Sequence, residues 1–117
     1  MSRGARTPEE LETLFEDAFV TRDAQALSAT FADGGVLALG TAADAARGTA
    51  EIGRLAAALW EADLTYVADP RRVVQARDIA LILADNAINV VRRQGDGSWE
   101  YAIALLSLDS ATTKEGR

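Results

Sequence analysis

The 117-residue chain has no cysteine and no histidine. The first absence excludes disulfide and thiolate chemistry, and nothing then requires an oxidising compartment. The second removes the side chain best suited to proton transfer near neutral pH and the commonest ligand for zinc or copper, so neither a metal site nor a cofactor is expected. Basic residues are outnumbered, 12 against 18, for a net charge of −6. Nucleic-acid binding draws its affinity from clustered Lys and Arg, so a nucleic-acid partner is not expected. The pairs Arg71–Arg72 and Arg92–Arg93 are the local basic clusters and read as solvated strand ends. No apolar run approaches the roughly 20 residues that span a bilayer, and MSRGARTPEE lacks the apolar core of a signal peptide. A cytoplasmic protein without a membrane partner is the expectation.

What remains is ordinary globular material. At 49% apolar residues, a chain of this length makes one domain and buries roughly two thirds of its unfolded surface. Residues 1–6 and 110–117 read as flexible ends around a domain over 7–109. Thr7, Pro8 and Glu10 supply a capping hydroxyl, a proline at the first helical position and a glutamate three residues after the cap. The apolar stripe Leu11, Leu14, Phe15, Ala18, Phe19 then predicts a helix to about Thr21. Asp23 caps a shorter helix with Leu27 and Phe31 facing inward, ended by Asp33-Gly34-Gly35. Val36–Leu39 reads as a short strand. Thr49 caps a third helix carrying Ile52, Leu55, Ala56, Leu59 and Trp60 on one face.

The remainder reads as strand: Leu64–Ala68, bent at Asp69-Pro70, then Arg72–Ala76, Ile79–Ala84 and Ala87–Arg93. An Asp-Gly hairpin turn leads into the last one. That strand is apolar on both alternating faces, with Trp99, Tyr101, Ile103 and Leu105 on one and Ala102, Ala104, Leu106 and Leu108 on the other. Such a strand is covered on both sides, and a second subunit is one candidate cover. Helices before antiparallel strands is an α+β order.

The segments RDAQALSATFADGGVL (22–37), RGTAEI (47–52), DIAL (78–81) and RRQGDGSWEYAI (92–103), in this order, resemble the nuclear-transport-factor-2-like superfamily of ketosteroid isomerases and SnoaL-like cyclases. The resemblance covers about Pro8 to Asp109. It implies an α+β, cone-shaped, cystatin-like fold, with three helices packed on a strongly curved, mostly antiparallel sheet around an apolar cavity, and pairing as a homodimer through the outer sheet face. The segment between Asp78 and Gly95 is shorter than usual for the family, which leaves one strand or its hairpin open.

On that resemblance, the ligand pocket is expected to comprise Phe15, Phe19, Leu39, Trp60, Tyr66, Asn89, Ala102, Ala104 and Leu106, and the dimer interface Trp99, Tyr101, Ile103 and Leu105. The positions matching the isomerase tyrosine, base and acid fall on Phe15, Leu39 and Asn89, and the cyclase aspartate falls on Ala104. None supplies the family's acid–base chemistry. Asp17, Asp63 and Asp85 remain as carboxylates, each also readable as a solvated helix face or a turn residue. The expected function is binding of a small, mainly apolar organic ligand. The alternatives are an isomerase, cyclase or hydrolase acting on a polyketide- or steroid-like substrate through a non-standard carboxylate, such as Asp85 with Tyr66 or Asn89, and a non-catalytic interaction module.

Overall fold

The computed structural model describes residues 4–40 and 45–107, and the backbone of 109–110. Leu108 and the 111–117 tail, on which two of the expectations fall, lie outside the described residues. Three helices come first, α1 (Pro8–Val20), α2 (Ala24–Ser28) and α3 (Gly48–Glu61), interleaved with β1 (Phe31–Leu39) and β2 (Ala45–Arg47). The strands β3 (Leu64–Thr65), β4 (Pro70–Ala76), β5 (Ile79–Ala84), β6 (Ala87–Arg93), β7 (Trp99–Leu106) and β8 (Asp109–Ser110) follow. Both strands of the shortened 78–95 segment are present.

Local chemistry sets the helix starts. The Thr7 hydroxyl accepts from the Glu10 N–H at 3.0 Å, and Asp23 accepts from Ala26 N–H at 3.0 Å. At α3 the cap is Arg47, whose own N–H donates to Glu51 Oε1 at 2.9 Å. Phe31 stands in β1 and not on α2, which ends at Ser28. The Asp33-Gly34-Gly35 run interrupts a strand, between the pairings Phe31–Tyr101 and Val36–Ile103. Gly35 is needed there because a Cβ would stand 2.9 Å from the Tyr101 carbonyl oxygen. Ala5, in the segment expected to be loose, is fully buried and bridges to Trp99.

The main sheet has the order β2-β1-β7-β6-β5-β4, antiparallel except for β1 beside β7. The α+β class, the three helices and the mostly antiparallel pairing stand. The strongly curved cone does not, because β2 and β4 remain unjoined edges of an open sheet. Closing a sheet requires its edge strands to pair. The space a cone would enclose is instead filled: Phe15 of α1 lies 5.2 Å from Tyr66, 5.4 Å from Tyr101 and 6.2 Å from both Phe19 and Phe31, ring centre to ring centre.

The face assignment of β7 also changes. Val90 pairs with Ile103 but Val91 with Tyr101, leaving Ala102 as an extra residue. A bulge of this kind shifts the alternation by one. Trp99 and Tyr101, expected to face a partner, are therefore buried on the same side as Ala104 and Leu106, while Ile103 and Leu105 lie on the outer face.

Candidate functional site

Glu12 of α1 is the one acidic residue buried in the described core, at 1% exposure. It stands four residues after Pro8 and three before Phe15, on the inward stripe of the helix. Tyr66 Oη donates to its Oε1 at 3.0 Å. Tyr101 Oη and Asn89 Nδ2 donate to Oε2 at 2.7 and 2.8 Å. An ionised carboxylate accepts only, so three convergent neutral donors match it well. The contacts tie α1 to β6, β7 and the segment after β3, with Ala104 the register partner of Asn89. Glu16, one turn on, accepts from the Ala68 N–H at 3.1 Å.

Burial and the neighbouring Glu12 charge push both tyrosine hydroxyls far above their ordinary value. The unfolded chain ionises them near pH 10 and the folded chain does not. Stability is therefore full below about pH 10 and falls above it, at about 2.7 kcal/mol per pH unit for two such groups. These are the chain's two tyrosines. A spectrophotometric titration should show no phenolate absorbance until unfolding, and then both together; a hydroxyl titrating in the folded protein near pH 10 would contradict the network.

The other expected site residues are divided. Phe15, Phe19, Tyr66, Asn89, Ala104 and Leu106 meet in the core. Leu39 packs on its margin, and Ala102 is half-buried at the bulge. Asp85 does not join Tyr66 or Asn89, but pairs with Arg71 at 2.8 Å on the surface. Asp63 pairs with Arg22 at 3.6 Å. Asp17 is exposed. Among the described residues no group of three or more potential ligands could hold a metal, and no helix is long and apolar enough to cross a membrane.

Among the described residues, cavities border α1 at each end. A pocket of about 420 Å³ lies between α1, α2 and the start of β7, lined by Ala5, Leu11, Leu14, Ala26, Ala29 and Trp99 with Gly4, Thr30, Asp96, Ser98 and Glu100. Burial, and then the Asp96 charge, raise the pKa of the Glu100 carboxyl. A smaller cavity of about 190 Å³ lies near the end of α1, beside Phe19 and Trp60.

The fold is shared with solved structures. A ketosteroid isomerase-like protein from Erwinia carotovora atroseptica superposes with a TM-score of 0.69 at 24% identity, covering 87% of this chain and 93% of that one. A putative calcium/calmodulin-dependent protein kinase type II association domain from Thiobacillus denitrificans gives 0.75 at 21% identity, covering 91% and 98%. An NTF2-like protein with a cystatin-like fold from Novosphingobium aromaticivorans gives 0.64 at 19%, covering 89% and 80%. This chain has the NTF2-like, cystatin-like fold. No family model and no curated relative matches it. In this NTF2-like chain the buried acid is Glu12 on α1, a position that sequence reasoning passed over. Its place on the Pro8, Leu11, Phe15, Phe19 stripe was the available signal.

Proposed function

We propose that this NTF2-like protein binds a small, mainly apolar organic molecule and does so as a homodimer. The observation carrying the first part is the pocket of about 420 Å³. Ligand pockets typically occupy roughly 300–1,000 Å³ and combine an apolar wall with a few polar groups. Here Leu11, Leu14 and Trp99 supply the wall, and Thr30, Ser98, Asp96 and Glu100 the polar groups. Two carboxylates on the lining disfavour an acidic ligand, so the occupant is neutral or weakly polar. Glu12 is enclosed and its carboxylate is engaged by three donors, which favours binding over proton transfer by this group.

The dimer rests on the outer sheet face. Val36, Ile103, Val90, Leu81 and Val74 align across five strands, and Ala38, Leu105, Ile88 and Leu83 form a parallel row ending at Arg72. Val74, Ile88 and Ile103 are 45–48% exposed. Contiguous apolar surface of this kind marks an interaction site. A second copy is the occupant proposed, consistent with the description of the Thiobacillus neighbour as a putative association domain. The interface takes in the expected Ile103 and Leu105 but not the buried Trp99 and Tyr101.

The pocket is tested with N-phenyl-1-naphthylamine, an uncharged dye that fluoresces in apolar surroundings. Micromolar binding is expected, weakened at least about ten-fold, or about 1.4 kcal/mol, by Ala29→Trp, which fills the pocket. Equal binding by the variant would remove the pocket assignment.

A further inference from the structure

The hydroxyl and carboxyl side chains on the lining of the larger pocket, Thr30, Ser98, Asp96 and Glu100, share one chemical bias. Thr30 and Ser98 are buried, at 7% and 3% exposure. The Thr30 hydroxyl lies 2.6 Å from the Leu27 carbonyl oxygen. The Ser98 hydroxyl lies 2.6 Å from Asp96 Oδ1, which also accepts from the Ser98 N–H at 3.0 Å. A carbonyl only accepts, and so does an ionised carboxylate, so each hydroxyl has spent its one hydrogen and keeps its lone pairs. Turning the Ser98 hydroxyl toward an acceptor on a ligand would break a charge-assisted bond. Asp96 and Glu100 add carboxylate oxygens to the same lining. What these side chains have to offer an occupant is therefore acceptor capacity.

We infer that the ligand brings the donor: among small, mainly apolar molecules the pocket selects those bearing a hydroxyl or N–H group, and rejects isosteres that carry an acceptor in its place. This rests on the ligand-binding reading above and names the chemical class of its occupant. A donor meets an acceptor at each of these side chains. An ether or carbonyl oxygen instead sets lone pair against lone pair, with both desolvated and neither satisfied. A site arranged to hydrogen-bond one group discriminates strongly against the analogue lacking it, more than an apolar wall discriminates by size. Burial and the Asp96 charge raise the pKa of the Glu100 carboxyl, and a donor placed beside it favours the ionised form, so ligand and carboxylate stabilise each other.

Indole and benzofuran test this directly, because they share size and shape and differ in carrying an N–H or a ring oxygen. Benzofuran is the less well hydrated of the two, so a pocket indifferent to the donor takes it at least as readily. Both are read by displacement of N-phenyl-1-naphthylamine. Indole should displace the dye at a concentration at least about ten-fold lower, the worth of one hydrogen bond to a charged group. In the double variant Asp96→Asn, Glu100→Gln each carboxylate becomes an amide with donors of its own, and the advantage of indole should fall below about two-fold. Asparagine keeps the turn, since its side-chain oxygen accepts from Ser98 as that of Asp96 does, and a merely structural effect would weaken both probes alike. Benzofuran displacing the dye as well as indole in the unaltered protein, or a ratio unmoved in the double variant, would overturn the donor requirement and leave the pocket standing. Failure of both probes to displace the dye would also overturn it, while the pocket itself is judged separately by Ala29→Trp.

Discussion

Glu12→Ala should lower the unfolding free energy by about 3–5 kcal/mol in urea titrations, the range expected when one partner of a buried charged network is removed. The loss comes less from the carboxylate than from what it leaves behind. Tyr66 Oη, Tyr101 Oη and Asn89 Nδ2 all donate to it, and each buried donor left unmet costs about 1–3 kcal/mol. Against a typical total of about 5–15 kcal/mol, this is enough to unfold a marginal domain. Tyr66→Phe or Tyr101→Phe should each cost less, because the carboxylate keeps two donors. Added to Glu12→Ala, either should be nearly neutral, since the donor it deletes is already unmet. A loss under about 1 kcal/mol for Glu12→Ala would mean that the network does not hold α1 to the sheet.

Ile103→Asp should convert a dimer of about 24.8 kDa, twice the chain mass of 12.4 kDa, into monomers by light scattering at micromolar concentration. Ile103 pairs with Val36 and Val90 within the apolar row, where a carboxylate in the interface is desolvated without a partner. The residue is 46% exposed in the single chain, so the fold should survive and circular dichroism should be unchanged. Each chain carries −6, so salt that screens their repulsion should tighten the unaltered dimer. An unaltered protein that is already monomeric, or a variant of undiminished mass, would remove the outer face from the proposal.

Much of the fold was legible because its signals are local. Strands β5 and β6 fall where apolar residues bounded by Arg77-Asp78 and Asp85-Asn86 predict them, and Thr7-Pro8 opens α1. Phe31 was misplaced because Asp33-Gly34-Gly35 reads as a helix stop, whereas Gly35 is there to let β1 approach the Tyr101 carbonyl. The sidedness of β7 was not legible at all, since nothing in TrpGluTyrAlaIle marks Ala102 as the inserted residue. That single residue moved Trp99 and Tyr101 from the expected interface to the interior. Sheet curvature was carried over from the resemblance, and the aromatic cluster around Phe15 occupies the space it implied. Glu12 was hidden by its company: Glu9, Glu10 and Glu16 on the same helix lead a reader to count it as surface charge, and its partners lie 54 to 89 residues away.

Electron density in crystals of the purified protein, in the pocket between α1, α2 and the start of β7, is the most direct test of ligand binding. Density from an uncharged organic molecule against Leu11, Leu14 and Trp99 is expected, either carried through purification or introduced as N-phenyl-1-naphthylamine. A pocket closed by its own side chains, and empty after soaking with the dye, would contradict it.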